Sequence, residues 1–153
     1  MSKKASCLNQ FLLFCTTLIS IQAFGNITIA DTIGLGTYNL DSHCTQYVVG
    51  SNGYLATDGG MSILVEHPYP ISYRAIVPRV EECENLLVPA CLSATHVAYS
   101  SIRIESTLMI LGQSAATAAS LAIDLSVSVQ DLPYETLRQQ LLADGQILDF
   151  RKF

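Results

Sequence analysis

The residues of this sequence with the clearest potential for chemistry lie in one polar segment, residues 93–101, which reads SATHVAYSS. An apolar run precedes the segment and a helical pattern follows it, and ligands of open α/β sheets bind at such strand-to-helix junctions. A helix beginning there would present unpaired amides and partial positive charge to an electron-rich group. His96 could then bind or titrate near neutral pH; the alternative is a loop histidine bonded to backbone. Arg103 and Glu105, just beyond, fit either a local ion pair or a ligand contact.

Two other patterns resemble catalytic or cofactor motifs without their context. Residues 41–43 read Asp-Ser-His, the residue types of a hydrolytic triad, but adjacent side chains of an extended segment point to alternate faces. No GxSxG sequence occurs, so a hydrolase is not predicted. Residues 34–36 read Gly-Leu-Gly, but Asn39 occupies the sixth position of the motif and no helical pattern follows, so a dinucleotide-binding turn is not predicted.

The five cysteines do not form a metal or redox motif. No CxxC sequence occurs, and no metal site is predicted. Cys91 ends an apolar run and is expected to be a small buried side chain. The same structural interpretation applies to Cys44 and Cys83, because free cysteine is commonly buried.

The elements around the polar segment predict one βα unit. Residues 86–92 form a short apolar run of the kind that is buried on both faces in parallel sheets. A helix is expected over residues 103–124, with Ser101 as its N-cap. Small side chains recur along this helix at a spacing that allows close packing on a sheet. The predicted fold class is therefore α/β.

The rest of the chain predicts short strands and a second helix. Strands are expected at residues 47–49, 61–66 and 71–77. Asn52-Gly53 is a hairpin turn sequence. Near the C-terminus, Asp131 and Pro133 suit the start of a short helix, and Gly145 suits its left-handed end.

Composition limits the possible partners. The 153 residues are 50% hydrophobic and only 14% charged, with a net charge of −5, and support one domain with a modest core. A nucleic-acid-binding face needs clustered lysine and arginine, so nucleic acid is excluded as a partner. The low charge content has two explanations, an apolar N-terminus or a surface that is buried against another polypeptide.

Residues 1–25 resemble an export signal. Lys3 and Lys4 precede an apolar run over residues 8–23, and Ala23-Phe24-Gly25 is a plausible cleavage site. The run is too short and too polar to predict a stable membrane span. Either the segment is a signal peptide and the protein is exported, to the periplasm or the exterior, or it is a spurious start ahead of a truncated gene.

Three separated blocks resemble the C-terminal portion of a family of FAD-dependent oxidoreductases, some of whose members are labelled xanthan lyase-like. They include IGLGTYNLDSH with PYPISYRAIVPR, then NLLVPACLSATHVAYSSIRIESTLMILGQSAATAA, and finally LPYETLRQQLLADGQIL, in the family's order over residues 26–148. The resemblance implies FAD as cofactor and places the segment before the long helix against the flavin ring. The positions it implies for cofactor binding are Thr95, His96, Ser101, Ile102 and Arg103, with His96 as the catalytic residue.

The resemblance departs from the family in one large respect. Family members begin with a Gly-rich strand–turn–helix that holds the ADP part of FAD, and no such sequence occurs here. We therefore expect a C-terminal fragment that contributes the flavin-ring side of the site, is inactive alone, and needs a missing N-terminal half in cis or trans. Residues 26–80 would be substrate-side strands and loops, and residues 81–153 the C-terminal part of the FAD-binding domain. The alternative is a small exported structural or binding protein that retains part of a flavoprotein fold.

Overall fold

A computed structural model describes residues 29–150 of the protein. The described strands are β1 (Thr32–Gly36), β2 (Leu40–Ser42), β3 (Gln46–Val49), β4 (Leu55–Asp58), β5 (Met61–Ile63) and β6 (Tyr69–Ser72). A 3₁₀ helix (Tyr73–Ala75) follows β6, and the α-helices are α1 (His96–Ile102), α2 (Glu105–Leu125) and α3 (Tyr134–Ala143). The predicted signal segment, residues 1–25, lies outside the described residues. The mixture of strands and helices confirms the predicted α/β class.

Within residues 29–150 the strands form three antiparallel pairs, β1–β6, β2–β5 and β3–β4. The parallel strand predicted at residues 86–92 is wrong, because this stretch is irregular. Pro89 sits in its middle and cannot donate a ladder hydrogen bond. The backbone is held instead by two isolated hydrogen bonds, from Val88 N to Ile76 O at 2.8 Å and from Ser93 N to Ala75 O at 2.8 Å. Of the predicted βα unit, the structure therefore contains the helix but not the strand.

The long helix is confirmed as α2, but its start is not where the sequence predicted. Residues 96–102 form the separate helix α1, and Thr95 caps it by accepting a hydrogen bond from Ala98 N at 3.1 Å. Ser101, the predicted N-cap, lies inside α1 instead. Ile104 has extended backbone angles, which separates α1 from α2. The segment 93–101 was expected to be a loop. Because Thr95 caps a helix six residues before the expected cap, most of this segment is helical.

The core forms where α2 packs on β1 and α3 packs against both of them. Four side chains along one face of α2 are buried, as the spacing predicted, and Ser114 is buried with them: Leu111, Ala115, Ala118 and Ala122. Hydroxyl groups from both helices reach carbonyls of β1, with Ser114 Oγ 2.7 Å from Ile33 O and Tyr134 Oη 2.7 Å from Thr32 O. These bonds position the helices on the strand pair.

The two turn predictions are confirmed. Gly53 has φ +77° in the turn between β3 and β4, a conformation that glycine adopts without steric cost. Gly145 has φ +80° after α3, although Pro133, and not Asp131, is the N-cap of that helix. The strands predicted at 61–66 and 71–77 are shorter or shifted, since β5 ends at Ile63 and the chain turns into a 3₁₀ helix after β6.

Two further features concern the exposure of Cys91 and the length and hydropathy of α2. Cys91 is exposed, so its predicted burial is wrong; the irregular stretch at residues 86–92 leaves it outside the core. Within the described residues, α2 is the one helix long and apolar enough to cross a membrane by length and composition. Its buried face against β1 is also that of a core helix in a globular domain.

Candidate functional site

A polar cleft of about 290 Å³ lies between the end of β2 and helix α1. Its lining residues all carry hydrogen-bonding or ionisable side chains: Asp41, Ser42, His43, His96, Tyr99, Ser100 and Arg103. Two of the five site residues predicted from the sequence, His96 and Arg103, therefore face the same cleft. Its volume is near the lower limit of small-molecule pockets, so it suits part of a large cofactor or a small ligand.

Asp41 organises the charges of the cleft. Its carboxylate oxygen Oδ2 accepts a hydrogen bond from Arg103 Nη2 at 3.3 Å, and the same nitrogen lies 3.4 Å from Asp41 O. His43 Nε2 lies 3.5 Å from the same carboxylate oxygen. The ion pair of Arg103 is thus with Asp41 and not with Glu105, because the fold brings β2 beside the end of α1. Asp41 therefore holds the guanidinium of Arg103 through one of its nitrogens, Nη2.

His96 stands at the first turn of α1 with an exposed side chain. Within residues 29–150 this side chain makes no hydrogen bond or ion pair, so the backbone-bonded loop histidine is not what the structure contains. An unengaged imidazole can donate or accept a hydrogen bond. His96 is therefore free to contact a ligand in the cleft.

The other three predicted site residues, Thr95, Ser101 and Ile102, do not line the cleft. Ser101 is 1% exposed, and its hydroxyl donates to Tyr38 O while it accepts a hydrogen bond from Tyr69 Oη at 2.6 Å. Burial raises the pKa of Tyr69, and the hydrogen bond to Ser101 opposes that shift. Ile102 is fully buried beside them, and Thr95 caps the helix. These contacts hold α1 against the segment that precedes β2.

Four of the seven lining residues lie in or next to the segment 93–101 that the sequence indicated, and sequence reasoning missed the other three, Asp41, Ser42 and His43. The Asp-Ser-His sequence had been set aside because neighbouring side chains alternate between faces. That alternation places the first and third residues, Asp41 and His43, on the same face, and they are in contact here. The sequence carried this indication, but nothing in it indicated Arg103 as the partner from 62 positions away.

Comparison with known proteins identifies one family. The model of the family described as FAD dependent oxidoreductase matches residues 16–141, which is most of the chain. The matched range includes β1 to β6, α1, α2 and most of α3, and hence every residue that lines the cleft. No curated protein and no solved structure matches the chain. The protein belongs to the FAD-dependent oxidoreductase family.

Proposed function

We propose that this chain contributes the flavin-ring side of the FAD site in an oxidoreductase. The observation that carries the proposal is the cleft between β2 and α1, which His96 and Arg103 both line, within a chain of this family. The resemblance to the family had implied these two positions beside the flavin. A cleft of about 290 Å³ suits one end of the cofactor and is too small to bury a whole dinucleotide.

The donor set of the cleft fits the ring end of a flavin. When bound, the flavin accepts or returns a hydride. An imidazole without a partner, such as His96, can donate a hydrogen bond to a carbonyl of the ring edge. Arg103, oriented by Asp41, presents N–H donors close to that edge. Preorganised donors of this kind stabilise negative charge without reorganising.

Thr95, Ser101 and Ile102 would act on the cofactor through the position of α1. Their side chains cap the helix or are buried beneath it, which fixes where His96 and Arg103 stand. A displacement of about 1 Å at a reacting group can cost about 100-fold in rate. We therefore propose these three as positioning residues, with His96 as the residue nearest the chemistry.

The ADP part of FAD would be held elsewhere. Binding of the pyrophosphate in this class of site uses a Gly-rich turn and a helix N-terminus, and the sequence of this chain has no such motif. We propose that a Gly-rich half, in cis or in trans, completes the site. The chain by itself would then bind FAD weakly and be inactive.

The test is reconstitution of flavin binding. The full 153-residue chain is titrated with FAD alone and then with a Gly-rich half from another member of the family, and flavin fluorescence and visible absorbance are followed. Tight binding is expected only in the presence of both parts. His96→Ala should change the flavin spectrum or turnover in the reconstituted assembly, while His67→Ala, at an exposed histidine outside the cleft, should not.

Two results would overturn this proposal. Submicromolar FAD affinity of the chain alone would show that no second half is needed. Failure of every supplied half to restore binding, with the chain folded, would favour a structural or binding protein that retains part of the fold.

Export is proposed separately, from the composition of residues 1–25. Cleavage after Gly25 would remove residues 16–25, which the family match includes. N-terminal sequencing of the protein from its native host therefore tests the proposal directly. A mature protein that begins after residue 25 supports export, and one that keeps residues 16–25 contradicts the cleavage.

A further inference from the structure

We propose that the cleft between β2 and α1 binds the carboxylate of a small organic acid, with Arg103 as the main recognition group. The proposal deepens the proposed function by naming a substrate class for the same site. It rests on the N–H donors of Arg103 that the pair with Asp41 leaves free in the cleft.

Arg103 is the central observation. Within the described residues, Asp41 occupies only its Nη2 nitrogen, and its Nε and Nη1 nitrogens make no hydrogen bond. A guanidinium carries five N–H donors in a rigid plane and accepts nothing. The pair with Asp41 therefore orients Arg103 and leaves three donors for a ligand. A carboxylate matches such donors in geometry and charge.

The neighbouring groups add hydroxyl and imidazole groups, which can donate a hydrogen bond to a ligand oxygen. Among the described lining residues, the side chains of Ser42 and His96 make no hydrogen bond, and His43 contacts only Asp41. Asp41, the one carboxylate in the lining, contacts Arg103 and His43 through its Oδ2 oxygen. The hydroxyls of Tyr99 and Ser100 donate to backbone carbonyls, Ala90 O at 2.9 Å and Val97 O at 2.7 Å.

This inventory distinguishes between classes of ligand. A neutral polyol brings no negative charge to pair with the guanidinium of Arg103. A carboxylate brings one, and its two oxygens can accept parallel hydrogen bonds from the guanidinium. The charges favour a monoanion over phosphate, since the ion pair of Arg103 with Asp41 carries no net charge.

The titratable and charged groups that face the cleft come from both of its walls. They are Asp41 and His43 from the β2 side and His96, Tyr99 and Arg103 from the α1 side.

The experiment uses the full chain without flavin, so its outcome is independent of reconstitution. Benzoate, inorganic phosphate and glucose are titrated separately at constant ionic strength, and side-chain NMR signals of arginine Nε and histidine are followed. We expect saturable benzoate binding in the millimolar range, with shifts at Arg103 and at His43 or His96. Glucose should cause no saturable shift, and phosphate should bind more weakly than benzoate.

Variants separate recognition from folding. Arg103→Lys keeps the charge but loses the planar fork, and it should weaken benzoate binding by about tenfold, the size expected for one charge-assisted hydrogen bond. Arg138→Lys, on the outside of α3 in a surface pair with Glu135, is the matched control and should leave binding unchanged. His43→Gln changes a side chain that is 79% exposed and should keep the fold. It should weaken benzoate binding by about threefold.

The proposal is overturned if glucose or phosphate binds as well as benzoate at these residues, or if Arg103→Lys binds benzoate like the unaltered chain while folded. Absence of saturation up to about 50 mM benzoate, a standard binding free energy weaker than about −2 kcal/mol, also overturns it. Benzoate binding without flavin reconstitution would contradict only the cofactor proposal. Reconstitution without benzoate binding would contradict only the carboxylate site.

Discussion

The β1–β6 and β3–β4 pairs are both short antiparallel ribbons, and they stand in opposite surroundings. Every residue of β1 and β6 is buried or half-buried, under α2 and α3. Every residue of β3 and β4 is exposed, including Val49 at 75% and Leu55 at 71%. A two-stranded ribbon is marginally stable in water by itself, so its stability depends on what covers it. An antiparallel ribbon therefore lies in the core as β1–β6 and on the surface as β3–β4.

The hydrogen bonds of the two ribbons show the same contrast. The carbonyls of β1 accept bonds from the side chains of Ser114 and Tyr134, more than 80 positions away. The β3–β4 hairpin is held by its own ladder and turn, with Gln46 and Asp58 joined at 3.1 Å across an exposed end. Long-range contacts secure the first ribbon, and local ones secure the second.

The largest expected effect comes from truncating matched aliphatic residues in the two ribbons. Ile71 in β6 is fully buried, so Ile71→Ala should lower the free energy of unfolding by about 3 kcal/mol through lost burial and a cavity. Val49→Ala in β3 should change it by less than about 0.5 kcal/mol, because the side chain is already in water. Urea denaturation of both variants tests the contrast. Equal losses would mean that the hairpin is covered in solution.

A pH titration compares tyrosines from the same two regions. Burial raises the pKa of Tyr73 to about 12, and its hydroxyl donates to Val129 O at 2.8 Å. In the unfolded chain the pKa is about 10, so between pH 10 and 12 only the unfolded state loses this proton and stability falls with rising pH. The loss should be about 2–3 kcal/mol.

Tyr73→Phe removes this contribution to the pH dependence and, below pH 9, costs about 1 kcal/mol for the lost hydrogen bond. Tyr54→Phe is the matched control, because that ring lies next to β4 and is 75% exposed. Its stability profile should follow that of the unaltered protein. If Tyr73→Phe keeps the full alkaline loss, the buried hydroxyl is not its cause.

Gly36→Ala tests how closely β1 and β6 approach. A methyl group at this position would lie 2.7 Å from Cε2 of the Tyr69 ring, which must then move and strain its hydrogen bond to Ser101. Overpacking of this kind should cost about 2 kcal/mol in urea denaturation. Gly112→Ala is the control, because a methyl group there meets no atom within 4 Å and α2 should gain helix propensity. A neutral Gly36→Ala would mean that Tyr69 has space to relax.

The smallest expected change in stability comes from replacing exposed apolar residues of the hairpin by threonine. Leu55→Thr and Val49→Thr should each change the free energy of unfolding by less than about 0.5 kcal/mol. They should nevertheless reduce self-association in sedimentation velocity, because open apolar strand edges pair with other chains. A large loss of stability, with self-association unchanged, would show that these side chains have an intramolecular partner.

Periodic and turn-forming stretches were predictable because their determinants are local. The helix expected over residues 103–124 is α2, and Asn52-Gly53 forms the expected hairpin turn. The strand at residues 86–92 was predicted from an apolar run alone, and composition does not distinguish a strand from a buried irregular segment. Helix α1 was missed because its start depends on one side-chain cap at Thr95.

The sequence by itself determined the family, the α/β class, the long helix and the turns, since each depends on motifs or on residues a few positions apart. Only the tertiary structure decided which ribbon is covered and where the cleft lies. Asp41 meets Arg103 across 62 positions, and Ser101 meets Tyr69 across 32, because α1 packs beside β2 and β6. Contacts between distant segments arise from the packing of whole elements, and no local pattern in the chain encodes them.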